Sequence, residues 1–345
     1  MMRLSRRLRA MVAAGLIAAG LAACSHPAPP RTDAGRVAEA DAEARLTALV
    51  AKDQRVAAVS WRLAVGNADL CPATRLKAGW TLHAASQYGS ELRRIAERTY
   101  GLQGDLPGIL SAPVASPAER AGLRQGDVIV AVNGRPLSTG TAATARGQTY
   151  DGLQANIDRL DRAARSDSMV LTVRRDGMER SVTVPPQRAC AYDTQVEVRD
   201  DLRALSDGRT IFVSARLVDI AQDDDQLAFL LAHELAHAVL EHATVPDVQG
   251  GRGEANAQLS LRRGLSSSSE SDADILGLYL LARAGFDPGR AVHFLSTYEA
   301  AAPGARYPQI NLRGVYRSIP ERRRALEPVV AEIARRQAAR EPLIP

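Results

Sequence analysis

QLAFLLAHELAHAVLEH, residues 226–242, is the stretch that decides the reading of this chain. Asp223-Asp224-Asp225 precede it, and an aspartate at that point caps a helix while its neighbours complement the helix dipole. The run is apolar almost all round, which predicts a helix buried on every side. Two histidines and a glutamate inside such a helix need a compensating partner, because unpaired polar groups are costly to desolvate. His233 and His237 stand four residues apart, so their imidazoles project from one face one turn apart.

Two imidazoles so placed can grip a single metal ion, and the set suits zinc, one ion per chain. Glu234 stands one position on from His233, angled toward a water in an open coordination position and not toward the ion. The pattern His-Glu-x-x-His predicts hydrolysis in which zinc acidifies a water and Glu234 takes its proton. A third protein ligand is then needed. Of the other histidines, His26 lies in an N-terminal tether, His83 lies far upstream, and His242 is off the ligand face; His293 remains conceivable. Glu270 is the better candidate, at the head of a second helical stretch, ESDADILGLYLLARAG (270–285). Asp274 lies one turn from it on the same face and suits the free N–H of a ligating histidine. Read alone, the two carboxylates could equally mark a solvated helix start.

His233-Glu234-Leu235-Ala236-His237, followed by Glu270, Ala273, Asp274 and Gly277 and then by Ala284-Gly285-Phe286-Asp287-Pro288, resembles the HtpX-like, CAAX-protease-related metallopeptidases over about residues 190–330. The resemblance implies a mainly helical gluzincin domain with a small sheet. It implies His233, His237 and Glu270 as zinc ligands and Asp274 as supporting carboxylate. The family's periplasmic branch includes lipoproteins and outer-membrane quality-control peptidases. Many members carry a histidine before a C-terminal Glu-Arg; matching through Glu321-Arg322 and Leu326 puts Tyr316 in its place. A phenol can donate to an oxyanion, so Tyr316 is the expected catalytic partner of Glu234, and Tyr316→Phe is expected to lower turnover while zinc content stays intact.

Upstream the texture differs. Gly108–Ser111 is strand-like, Ser116-Pro117 opens a short capped helix, and GDVIVAVNGRPL (126–137) is a buried strand closed by an Asn-Gly turn. Residues 151–164 read as helix, and strands over 168–174 and 180–184 meet at Asp176-Gly177. The phrase SPAERAGLRQGDVIVAVNG (116–134) resembles a PDZ domain, with the likeness running over residues 100–187 as a small β-sandwich or barrel. PDZ domains take a peptide C-terminus as an added strand, its carboxylate received by a glycine-containing loop. The loop this implies is Tyr100-Gly101-Leu102, although it departs from the usual Gly-Leu-Gly-Phe. In the downstream unit, the strand around Ile211 to Ala215 is expected to offer an edge to an extended substrate, and Thr244 to Ser269, rich in Gly, Ser and Arg, reads equally as a mobile segment over the cleft or as an ordinary disordered loop.

With 46% hydrophobic and 24% charged residues the chain is an ordinary globular protein. Its net charge of +5 is concentrated at one end: Arg3, Arg6, Arg7 and Arg9 supply four of the charges, leaving the remainder nearly neutral. No basic stripe with aromatics is left to track a phosphate backbone, so nucleic acid is excluded as a partner. The arginines, the apolar run MVAAGLIAAGLAA (11–23) and Cys24 form a secretory signal too short for a well-anchored span. Leu21-Ala22-Ala23-Cys24 resembles a lipobox, which makes Cys24 the expected lipidation site. Ser25 after it points to the outer membrane. Cys71 and Cys190 are then left as a pair, and an oxidising periplasm favours their cross-linking.

The expected chain is α+β: a signal peptide (1–24), a tether (25–40), an N-terminal helical extension (41–99), a PDZ-like domain (100–187) and a zinc metallopeptidase domain (190–345). Its expected function is zinc-dependent cleavage of internal peptide bonds in envelope proteins, as periplasm-facing quality control, with protein or peptide substrates and a membrane anchor as partners. The competing expectation is a PDZ-containing peptide-binding or chaperone-like lipoprotein whose metal site is weak or inactive.

Overall fold

A computed structural model describes residues 33–140, 149–206, 209–240, 267–303 and 318–345. From Ala40 to Pro345 the chain forms one compact unit. Helix α1 (Asp33–Gly66) is a single helix that begins inside the expected tether. Its apolar residues serve two different cores. Ala42, Leu46 and Val50 are buried among the residues of an antiparallel sheet, whereas Val56, Val59, Trp61 and Leu63 are buried with the helices of the C-terminal half. Arg62 secures the second end: it donates to the carbonyls of Ala284 and Gly285 at 3.0 and 2.7 Å, and its guanidinium lies 3.6 Å from the centroid of the Phe286 ring.

The sheet half follows in chain order as β1 (Thr74–Lys77), β2 (Thr81–His83), α2 (Ser90–Tyr100), β3 (Gly108–Ser111), α3 (Pro117–Arg120), β4 (Val128–Val132), β5 (Arg135–Pro136), α4 (Asp151–Ala163), β6 (Met169–Arg175), β7 (Met178–Val184) and β8 (Gln187–Cys190). The strand order is β2-β3-β4-β6-β7 with β5 beside β4, antiparallel throughout. Two turns set its register. Asn133-Gly134 and Asp176-Gly177 each hold two successive residues at positive φ (48° and 73°, 53° and 77°), as the tightest hairpins require. This is one sheet covered by helices and not the expected sandwich or barrel. It also begins well before residue 100. Strand β2 pairs with β3, and Ile95, Ala96 and Tyr100 of α2 join the same core, so much of the expected helical extension belongs to the sheet unit. A three-residue strand shows no readable alternation, which is why β2 was not legible.

Strand β1 pairs with β8 as a separate two-stranded ribbon, and a disulfide joins Cys71 to Cys190 with Cα atoms 5.6 Å apart. The ribbon and the disulfide thus close the points where the chain enters and leaves the sheet unit.

The C-terminal half continues with β9 (Asp193–Glu197), β10 (Ala204–Ser206), β11 (Thr210–Ser214), α5 (Ala215–Ile220), α6 (Asp224–Val239), α7 (Ser267–Arg283), α8 (Pro288–Ala291), α9 (His293–Ala301) and α10 (Ile319–Ala339). Its sheet has the order β10-β11-β9. The expected substrate edge at β11 is therefore corrected: β11 is the central strand, bonded to β10 on one side and β9 on the other. Among the described residues the edges are β9 and β10. No helix among the described residues is long and apolar enough to cross a membrane.

Candidate metal centre

Helix α6 starts where Asp223 Oδ1 accepts from the backbone N–H of Gln226 at 2.9 Å. Every residue from Gln226 to Ala238 is buried, as its unbroken apolar surface demands. Helix α7 packs along it, and one glycine sets how close. A Cβ on Gly277 would sit 3.2 Å from the backbone nitrogen of His233 and 3.3 Å from the carbonyl carbon of Ala232. Backbone atoms do not swing aside, so the absence of a side chain brings the head of α7 to the histidine face of α6.

The result is a convergence of three donors. His233 Nε2 lies 3.2 Å from His237 Nε2. Glu270 Oε2 lies 3.4 Å from His233 Nε2, and Glu270 Oε1 lies 3.3 Å from His237 Nε2. All three ligand atoms fall within 4.8 Å of one another, and all three residues are buried. Glu270 is 4% exposed, yet neither carboxylate oxygen accepts a hydrogen bond of acceptable geometry from the described residues. A buried carboxylate without donors is expensive. Two imidazole nitrogens pointed at each other are also poor partners, since a proton between them serves one contact at a time. A cation at the common focus satisfies all three groups together, and an N,N,O donor set of this kind suits zinc.

A line of charges runs behind the focus. His233 Nδ1 donates to Asp274 Oδ1 at 3.0 Å. Arg322 of α10 grips the same carboxylate with both arms of its fork, Nε to Oδ2 at 2.8 Å and Nη2 to Oδ1 at 2.5 Å. Burial opposes charging His233, but the carboxylates of Asp274 and Glu270 outweigh it and lift the ring to about 10. Burial likewise opposes ionising Glu270, but the two histidines hold its carboxyl down at about 2. Burial works against Asp274 too, and Arg322 followed by His233 overcomes it, keeping that carboxyl well below the usual range. Each shift reflects the opposite charges that Glu270, Asp274 and Arg322 set around His233. Glu234, fully within this environment, is pushed up by burial.

The structure therefore brings together His233, Glu234, His237, Glu270 and Asp274. His293, the other conceivable ligand, is exposed at the head of α9. Tyr316 and Cys24 lie outside the described residues, as do all but the last residues of the Thr244 to Ser269 segment; Ser267 to Ser269 open α7. The expected peptide loop lies at the end of α2. Tyr100 ends α2, Gly101 caps it at φ 65°, and the side chains of Tyr100 and Leu102 are built into the core of the sheet unit. Arg322 is the residue that sequence reasoning missed. The signal was present, because Ile319, Arg322, Leu326 and Ile333 form the buried stripe of α10, and a charged residue in an apolar stripe marks a buried partner.

Residues 202–262 match the family model described as Peptidase family M48, and residues 109–146 match that of a PDZ domain. The first match supports a metallopeptidase and the second a PDZ domain. No curated protein matches it. A solved structure titled "Crystal Structure of the HtrA3 PDZ Domain Bound to a Phage-Derived Ligand (FGRWV)" is similar at 19% identity, covering 34% of this chain and 89% of that one with a TM-score of 0.23, a superposition too poor to bear on the fold.

Proposed function

We propose that this chain is a zinc metalloendopeptidase that cleaves envelope proteins and is held at the membrane by lipid on Cys24. The observation that carries the reading is the buried focus of His233, His237 and Glu270, with Glu270's oxygens lacking donors among the described residues. A zinc ion held there supplies Lewis acidity to a peptide carbonyl and to water.

The protein's own groups do the rest. Glu234 accepts a proton from the attacking water at its carboxylate and returns it to the departing amine, a task that its burial-raised proton affinity suits. Asp274 holds His233 by its Nδ1, leaving Nε2 turned toward Glu270 and His237. Arg322 fixes Asp274 in turn. Tyr316 is assigned the oxyanion on its position before Glu321-Arg322.

Metal analysis and a casein digestion on the full chain test the reading. Stoichiometric zinc is expected, and Glu234→Gln is expected to keep the metal while losing at least ~100-fold in turnover. A chain without zinc, or a Glu234→Gln variant that still digests casein, would overturn it.

A further inference from the structure

Helix α6 ends at Val239, two residues beyond His237, so the second histidine of the metal focus sits in the last turn of its helix. A last turn is where a helix frays, because its final carbonyls find no N–H in their own helix. Ala238, directly after the ligand, carries one of them. The capping N–H of Leu240 is shared between the carbonyls of Ala236 and Ala238. The Ala238 carbonyl has a further donor from a distant part of the chain: the phenol of Tyr192 donates to it at 3.2 Å. His233, one turn earlier, is secured through its ring by Asp274.

Tyr192 stands between β8 and β9, and its backbone is anchored from both sides. Cys190, two residues before it, is cross-linked to Cys71. The N–H of Ala191 donates to the carbonyl of Ala73 at 3.0 Å, and that of Asp193 to the carbonyl of Arg209 at 2.9 Å. The carbonyl of Tyr192 itself accepts from Lys77 Nζ at 2.7 Å, a charge-assisted bond. The same ammonium reaches Asp193 Oδ1 at 2.8 Å. Lys77 is the last residue of β1, the strand that pairs with β8. A side chain presented from a backbone so constrained has little choice of where its hydroxyl lies.

We infer that Tyr192 is a positioning residue for the metal ligand His237, clamping the last turn of α6 through the Ala238 carbonyl, and that Lys77 holds Tyr192 in place. The two-stranded ribbon of β1 and β8 thereby takes part in shaping the metal centre, although none of its residues reaches the ion. The inference rests on the zinc reading and deepens it. A phenylalanine at 192 would fill the same space without the donor, which isolates the hydroxyl as the group to test.

The test uses the full chain and two measurements, zinc affinity by competition with a chelator and the visible spectrum of the cobalt(II)-substituted protein, which reports ligand geometry. Tyr192→Phe is expected to weaken zinc binding about three- to tenfold. It should also shift the cobalt bands, while the denaturant midpoint of the metal-free chain stays at the parental value. Lys77→Met keeps the aliphatic stem and removes the ammonium, and it should weaken zinc in the same direction. The double variant should bind no more weakly than Tyr192→Phe alone, because both changes act through one hydroxyl. Parental zinc affinity in Tyr192→Phe would overturn the inference. So would weakened binding with a parental cobalt spectrum or a lowered metal-free midpoint, either of which assigns Tyr192 to folding and not to ligand placement. Additive losses in the double variant would remove Lys77 from the clamp. A parent chain that binds no zinc would sink the metal reading together with this one, whereas a zinc-binding parent with an indifferent Tyr192→Phe would sink this one alone.

Discussion

Arg322 is tied to the metal focus through one carboxylate: it forks onto both oxygens of Asp274, whose Oδ1 holds Nδ1 of His233. The arginine comes from the last helix and the carboxylate from α7, so three helices meet at one ring nitrogen. A lysine carries the charge but not the planar fork. Arg322→Lys is expected to weaken zinc affinity by about 10- to 100-fold, measured by competition with a chelator. Arg322→Ala should cost more in stability, about 3–5 kcal/mol, because it leaves a buried carboxylate with a lost partner. Unchanged chelator competition in Arg322→Lys would show that the fork is merely structural.

Gly277 controls the separation of α6 and α7 at His233. A valine there meets the His233 backbone, which has no freedom to move. Gly277→Val is expected to displace the head of α7, lowering zinc occupancy and activity together while the sheet unit keeps its fold. A variant with full zinc occupancy would contradict this role.

The disulfide between Cys71 and Cys190 closes a loop of 119 residues in sequence separation around the sheet unit. Long closures restrict the unfolded chain strongly. Cys71→Ser/Cys190→Ser is expected to lose about 2–5 kcal/mol in denaturant unfolding. Reductant should lower the parent to the same level and leave the variant unmoved.

Asp53 gives the fold a pH dependence of known sign. Burial lifts its folded carboxyl to about 7, above the value of 3.8 that describes it unfolded. The folded state therefore holds the proton more tightly, and stability falls as pH rises from about 4 to 7. Asp53→Asn removes that penalty. At pH 8 it should be more stable than the parent by about 2–4 kcal/mol, with little difference near pH 4. Parallel stability curves for the two proteins would show that Asp53 finds a cation in solution.

Local chemistry alone determined a good part of this protein. The cap at Asp223, the apolar surface of α6 and the four-residue spacing of His233 and His237 are properties of a short segment, because helical geometry fixes which side chains share a face. The hairpins at Asn133-Gly134 and Asp176-Gly177 are likewise local, since only such residues take two positive φ angles in succession without strain. What tertiary structure decided is everything that needs segments distant in sequence to meet. Glu270 reaches the histidines only because Gly277 lets α7 close on α6, and Arg322 reaches Asp274 only because α10 packs against α7. The three residues of β2 become a strand through β3, and β11 becomes central through β9, pairings that no periodicity encodes. A residue's own neighbours fix the direction in which its side chain points; which distant group waits there depends on how the apolar faces pack.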